Sequence, residues 1–348
     1  MGFDSVGSLL ADIANLIVEG LRILGLADKR HWGQDEYELL RAMERVLNDA
    51  KKDFQELSPM LKSQSHYEHD RTFASIEELR KLSGKFYMHI QNIREWSRSG
   101  GPVDAVWVRD TKSLQRELHR TQCRAAQRVF NSAKETSQRC LGAFIVHRKQ
   151  RAWVAARRAG ASDYDCQRRQ IDEVNECHTI GGFERFGDLD MAFICDFCDG
   201  HLIWDDVERV PTTRSGADSL AEPASAGPGS LLPTSAPLQE TYGATLGEWQ
   251  ATGITQSGQQ AKQVIYPPVA IASHIAPIQG DWLARLMCPL CEDATEPQDI
   301  DDEEEIWQPE NRFDDLAALQ EHLEWEHAPS ALPTTLPALP ATDKCVMM

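Results

Sequence analysis

Two Cys-x2-Cys pairs and one His-x4-His pair constrain this chain more than any other feature of its sequence. Cys288-Pro-Leu-Cys291 puts two thiols on one tight turn, and His322 and His327 follow downstream. Ligands of this kind close a tetrahedral zinc site when the intervening chain folds back on itself. Phe313 and Leu319 precede the histidines, so that the order from Phe313 to His327 runs Phe, Leu, His, His. A metalloprotease helix needs histidines four apart with Glu directly after the first. Here the interval is five and Leu323 follows His322, which excludes that catalysis.

The second pair, Cys195-Asp-Phe-Cys198-Asp-Gly200, reads as another knuckle, with Gly200 expected to take the positive φ of its turn. Its remaining ligands stay open. His274, or the nearer His201, completes a second zinc site in one arrangement. In another, Cys195, Cys198, Cys288 and Cys291 form a single four-cysteine ribbon and leave the histidines free. Two sites are favoured, because the Phe–Leu–His–His spacing is hard to obtain without a ligand role. Cys123, Cys140, Cys166 and Cys177 read as buried thiols.

Cys288 through His327 resembles the C2H2 zinc-finger family, over roughly 40 residues. The departure lies between Cys291 and His322, where 30 residues stand in place of about a dozen. That insertion is acidic, with Asp299, Asp301, Asp302, Glu303, Glu304 and Glu305 clustered. With Phe193 to Gly200, the same region resembles fungal C2H2 domain-containing proteins of uncharacterised activity. The resemblance implies zinc binding and a eukaryotic source, and no particular reaction. Fingers read DNA from the start of the helix outward. Those positions are Asp315, Ala318 and Glu321 here, with Asp314, Glu324 and Glu326 beside them and no Lys or Arg between Phe313 and His327. Phosphates would be repelled, so duplex DNA is not expected on this face.

The net charge of −18 is unevenly spread. Residues 109–169 hold 15 Lys/Arg against 5 Asp/Glu, a local +10 that leaves −28 for the rest. Lys112, Arg116, Arg120, Arg124 and Arg128 fall four apart along one helical stripe, with Glu117 the one acid among them. A solvated exterior face is the plain account; the alternative is an anionic partner such as RNA, anionic lipid or an acidic protein segment.

The first hundred residues carry helical periodicity. Leu10, Ile13, Ile17, Leu21 and Leu24 form one stripe, Leu39, Met43, Val46, Ala50, Phe54 and Leu57 a second, and Leu79, Leu82, Phe86, Ile90 and Ile93 a third. Ser75 and Glu78 suggest a capping box for the third helix, and a long polar helix is expected from about Asp110 to Arg158. Short strands are expected at 192–194, 201–204, 264–265 and 269–272. The fold class is therefore α+β: a helical bundle over 1–100, a basic helical region completing it over 101–182, and a zinc-binding module over 183–328. Residues 211–237, rich in Pro, Ser, Ala and Gly, are expected to be a disordered insertion, and 329–348 a flexible Pro-rich tail.

The chain shows no expected secretory leader and no apolar run of the ~20 residues that a membrane span needs. Cys-x2-Cys pairs in such a chain read as metal sites sooner than disulfides. The terminal Cys345-Val346-Met347-Met348 matches a C-a-a-X prenylation signal, with farnesyl favoured at Cys345. The sequence thus points to an intracellular, non-enzymatic zinc-stabilised adaptor that binds another protein, cytoplasmic with a membrane-associated fraction. A nucleic-acid-associated regulator acting through the basic helix, with a place in the nucleus, is the second reading.

Overall fold

The computed structural model describes residues 4–61, 64–132, 139–158, 163–212, 249–255, 261–294 and 312–327; for 154–158, 163–167, 261, 293 and 294 it describes the backbone alone. The expected tail with Cys345, almost all of the expected insertion, and the Cys166 side chain lie outside the described residues. Among those described, ten helices and eight short strands make a mixed α and β architecture, helical in the N-terminal half. None of the described helices is long and apolar enough to cross a membrane.

The chain divides into two units. Unit 1 comprises 1–184, 193–201 and 274–284; unit 2 comprises 185–192, 202–273 and 285–348. The knuckle at 195–198 therefore belongs with the helices, not with the second Cys pair.

In unit 1, α1 (Val6–Leu26) packs on α4 (Phe73–Ser99), and α2 (Gln34–Leu57) packs on α5 (Ala105–Ser132); a short α3 (Gln64–Glu68) lies between. The apolar stripes explain the pairing. Ile13, Ile17 and Leu24, Leu39, Met43 and Val46, and Leu79, Leu82, Phe86 and Ile90 are all almost fully buried. Each such side chain contributes roughly 1.5–3 kcal/mol on leaving water. Gly20 lets α1 approach closely, since a Cβ there would stand 2.5 Å from Ile90 Cδ1 and 2.8 Å from Met43 Cε. α1 begins at a capping box in which the Ser8 N–H donates to Ser5 Oγ (3.2 Å) and the Ser5 N–H to Ser8 Oγ (2.8 Å). Glu36 accepts from the Gly33 and Val103 N–H groups, both at 2.8 Å, and so ties the start of α2 to the entry of α5. Burial works against its charge, but these backbone donors prevail and hold its carboxyl below the usual range.

Three local expectations are revised. α4 starts two residues before Ser75, with Thr72 at its N-cap, so Ser75 and Glu78 do not cap it. Ser75 is buried and both residues receive Arg128 of α5, at 3.1 Å and 2.6 Å. The long helix expected from 110 to 158 is two helices, α5 and α6 (Leu141–Arg158), with Arg139 and Cys140 non-helical between them. Arg139 forms an antiparallel bridge with Ile275, and the Cys140 N–H reaches the His274 carbonyl. The segment 269–272, expected as a strand, lies in α8 (Pro267–Ser273). A short buried apolar run does not distinguish strand from helix by periodicity, and Pro267-Pro268 fits a helix start, where no N–H is required.

After α7 (Asp163–Ile180) come β1 (Gly181–Phe186), β2 (Asp190–Cys195) and β3 (His201–Trp204), hydrogen-bonded in that order. In unit 2, β4 (Gln250–Ile254) pairs antiparallel with β5 (Ala261–Ile265), Thr252 lying opposite Gln263. β6 (His274–Ile275) follows α8. β7 (Arg285–Met287) pairs antiparallel with β8 (Arg312–Phe313), and α9 (Pro289–Ala294) and α10 (Leu316–Glu326) complete the module.

Phe86→Ala empties a site at the centre of unit 1. It is expected to lower stability by about 3–5 kcal/mol in urea unfolding followed by circular dichroism.

Candidate metal centres

Two clusters of four Cys/His side chains have all their ligand atoms within 4.8 Å of one another: Cys140, Cys195, Cys198 and His274 in unit 1, and Cys288, Cys291, His322 and His327 in unit 2. Each could hold a metal ion.

The unit 2 cluster takes the form that the spacing predicts. Cys288 closes β7 and Cys291 stands on the first turn of α9, whose Glu292 N–H bonds the Cys288 carbonyl. α10 carries His322, and His327 is its C-cap. Cys291 Sγ lies 3.4 Å from His322 Nε2 and 3.2 Å from His327 Nε2, Cys288 Sγ lies 3.4 Å from His327 Nε2, and the two imidazole nitrogens are 3.2 Å apart. The Phe313 ring sits 4.7 Å from the His322 ring, and Leu319 and Leu323 are buried beneath. Asp315 is the N-cap of α10, its carboxylate accepting the Ala318 N–H at 2.8 Å. Burial pushes the Cys288 thiol up to about 12, helped by the neighbouring Cys291, and burial lowers both histidines. Lowered values favour the neutral imidazoles, the form that ligates a metal, while Cys288 would have to lose its proton to hold one.

The unit 1 cluster shows which side chains stand beside Cys195 and Cys198. His274 is one, with Nε2 3.5 Å from Cys198 Sγ. His201 is not: its Nδ1 lies 3.1 Å from the Asp199 carbonyl oxygen and its ring meets Trp282 edge-on. The four-cysteine ribbon is not formed. The fourth member of the cluster is Cys140, whose Sγ lies 3.7 Å from Cys195 Sγ; it is buried, as expected, but it stands among the candidate ligands rather than apart from them. No Cys-x2-Cys partner marks it in sequence. The helical pattern on both sides of it gives no local sign of the break at Arg139 and Cys140. Cys123 and Cys177 are buried thiols outside both clusters, as expected.

The local fold builds this centre. The Asp199 N–H bonds the Cys195 carbonyl and the Cys195 N–H the Gly200 carbonyl, both at 3.0 Å. The left-handed residue is Asp199, with φ 56°, and not Gly200. Asp tolerates that region better than most residues. Gly200 is needed for space instead, because a Cβ there would meet Ala284 Cβ at 2.9 Å and Cys198 Sγ at 3.2 Å. Gln127 of α5 accepts from Cys140 Sγ (3.3 Å) and from the Leu141 N–H (2.7 Å), which fixes both the ligand and the start of α6. All four ligands are buried except Cys198, which is partly so. Burial opposes ionisation of Cys195, but hydrogen bonds from Cys140 and Cys198 and the adjacent His274 outweigh it and draw the thiol well below its usual range. Burial likewise disfavours the His274 cation, yet Cys195 and Cys198 hold its pKa well above the ordinary value. Cys140 and Cys198 are shifted the other way, their thiols held well above the usual range, Cys140 by burial and the Cys195 sulfur, Cys198 by its neighbouring sulfurs and burial.

The basic stripe of α5 meets this knuckle. Arg120 pairs with Asp196 and Asp199 at 3.0 Å, Arg124 with Asp199 at 2.8 Å, and Arg128 with Glu78 at 2.6 Å. Three of the five stripe cations are thus engaged by carboxylates of their own chain; Lys112 and Arg116 continue the stripe on the same helix.

His119 was not singled out by sequence. Its Nδ1 is 2.8 Å from Asp53 Oδ2; its Nε2 is 3.1 Å from the Thr179 carbonyl oxygen and 3.8 Å from Asp196. Cys123 Sγ lies 3.6 Å from the same nitrogen, a row that resembles a nucleophile, base and orienting acid. The thiol is however almost fully buried, and burial with the charges of Asp53 and Asp196 pushes its pKa well up, so the row is a strut between α2, α5 and the knuckle. For His119, burial opposes the charge but Asp53, Asp196 and the Thr179 carbonyl prevail and raise its pKa.

Comparison with known proteins adds no relative: no family model matches the chain, and neither a curated protein nor a solved structure matches it.

Two outcomes follow. Cys140→Ser should remove one bound divalent ion per chain by elemental analysis, while Cys177→Ser leaves the metal content unchanged. Because the His119 pKa is raised on folding, its stabilisation is complete below the unfolded value of ~6.5 and is lost as pH rises through the higher folded value. Urea unfolding of the wild type and His119→Gln should therefore differ more at pH 6 than at pH 9.

Proposed function

We propose that the protein is a zinc-stabilised adaptor that binds another protein, with one structural zinc in each cluster. The observation that carries this reading is the fit of both clusters to the edges of one tetrahedron. Zinc bonds of ~2.3 Å to sulfur and ~2.05 Å to nitrogen require S···S near 3.8 Å, S···N near 3.6 Å and N···N near 3.3 Å. The S···S distance in unit 1 is 3.7 Å and its S···N distance 3.5 Å; in unit 2 the S···N distances are 3.2–3.4 Å and N···N is 3.2 Å. Three thiols and one imidazole, or two of each, are donor sets that suit zinc. Catalytic zinc keeps a position for water beside three protein ligands. Four protein donors in each cluster fill the coordination shell and favour a structural role.

The unit 2 centre fixes α10, and the chemistry of that helix favours a protein partner. Trp325 is 80% exposed, between Glu324 and Glu326. An aromatic anchor on an acidic face suits a basic protein segment, and the same acidity disfavours nucleic acid. On α5, the pairing of Arg120, Arg124 and Arg128 within the chain favours support of the knuckle over an RNA or lipid partner.

Protein purified without chelator should carry two zinc per chain, and a content below ~0.5 would overturn the zinc assignment. Trp325→Ala should keep both ions yet weaken capture of the cellular partner at least tenfold, as loss of a central aromatic anchor does; undiminished capture would remove α10 from the interface.

A further inference from the structure

Unit 1 has a cavity of about 550 Å³ between α1 and α2, within the size range of small-molecule sites, ~300–1,000 Å³. The apolar stripes leave it open. Leu10, Ala50 and Phe54 belong to those stripes, yet they are half-buried where Ile13, Ile17, Met43 and Val46 are sealed. With Ala14, Leu47 and Leu118 they line the groove. Ala11 and Ala14 carry too little side chain to fill it, and from Gly7, which the Glu68 backbone closes over, to Ile17 the slot follows α1 for ~15 Å.

One polar atom in the wall is unaccounted for. Gln122 of α5 lines the groove and is 1% exposed. Its Nε2 reaches the Ala50 carbonyl at 3.5 Å, but its Oε1 is buried with no hydrogen-bond partner. A buried acceptor left unpaired is costly, and a donor brought to it recovers much of that cost. A purely apolar guest leaves the acceptor orphaned, and a carboxylate, which Lys51 of the lining could meet, brings a second acceptor against Gln122 Oε1.

We infer that the groove between α1 and α2 binds an elongated apolar molecule bearing a hydroxyl, of the long-chain alcohol type, whose O–H donates to Gln122 Oε1 while its chain lies along Leu10, Ala14, Leu47 and Phe54. This site is independent of the metal centres and of the adaptor reading.

The test is equilibrium dialysis of the full chain against radiolabelled 1-dodecanol, with dodecyl methyl ether and dodecanoate as competitors. The ether keeps the chain and the oxygen but has no proton to donate. Saturable one-to-one binding of the alcohol, with the ether about tenfold weaker, is expected. Gln122→Leu should bring alcohol and ether to equal affinity, and Ala14→Trp should block both, with helicity and metal content unchanged in each variant. The wild-type preference for alcohol over ether needs no variant and decides the matter should either one fail to fold. No saturable binding, equal affinity of alcohol and ether for the wild type, or tighter binding of dodecanoate than of dodecanol would each overturn the assignment.

Discussion

The closure of Cys140 onto Cys195, Cys198 and His274 is the constraint to which the most other features of unit 1 answer. Three chain segments distant in sequence must deliver four atoms to within 4.8 Å of one another. The helical pattern running through residues 110–158 yields to that demand, and the chain breaks into α5 and α6 so that Cys140 stands in extended backbone beside His274. Gln127 then caps the new helix start and holds the thiol in one stroke. Asp199 accepts a left-handed conformation to close the knuckle, and Arg120 and Arg124 hold its carboxylate. Each is a local departure from regular structure that has a reason only in the cluster.

Electrostatics accounts for the basic stripe by the same route. A divalent ion among three thiolates leaves a net charge of about −1 in a largely buried place, and Asp196 and Asp199 add to it. Arg120, Arg124 and the raised His119 supply positive charge on the α5 side. Uncompensated buried charge is costly, whereas paired charge is tolerated. The unit 2 cluster, with two thiolates and two imidazoles, would be neutral around a divalent ion; Arg285 near Asp314 at 3.4 Å is a surface pair worth little.

The legible parts of the sequence were those in which one short-range pattern determines the outcome. Periodicity located α1, α2 and α4, and the ordered Cys, Phe, Leu and His spacing located all four residues of the unit 2 cluster, because these ligands sit on one hairpin and one helix. His274 could be proposed but not chosen over His201, since the choice depends on which of them the chain turns inward. Cys140 was illegible because α-helical propensity on both sides of it outweighs any local sign of a break. Gly200 was read for its dihedral freedom when space beside Cys198 is what it provides. Ser75 and Glu78 match a cap by spacing, but tertiary pairing with Arg128 claims them. In each case a contact between residues far apart in the chain decided a feature that looked local.

The two clusters differ more in surroundings than in the entropy of forming them. Unit 1 closes intervals of 55 residues from Cys140 to Cys195 and 76 from Cys198 to His274, against 31 from Cys291 to His322 in unit 2. Loop-closure cost rises only as the logarithm of length, about 0.6 kcal/mol per doubling, so the longest interval costs less than ~1 kcal/mol more than the shortest. Burial and charge act on a larger scale. Cys140, Cys195 and His274 are sealed in the fold, whereas Cys291, His322 and His327 keep partial access to water. Exchange of a metal ion requires its ligands to open, and opening is easiest where few buried contacts must be broken. The physical expectation is a slow, fold-integral centre in unit 1 and a faster, more accessible one in unit 2, the latter on the helix that presents Trp325.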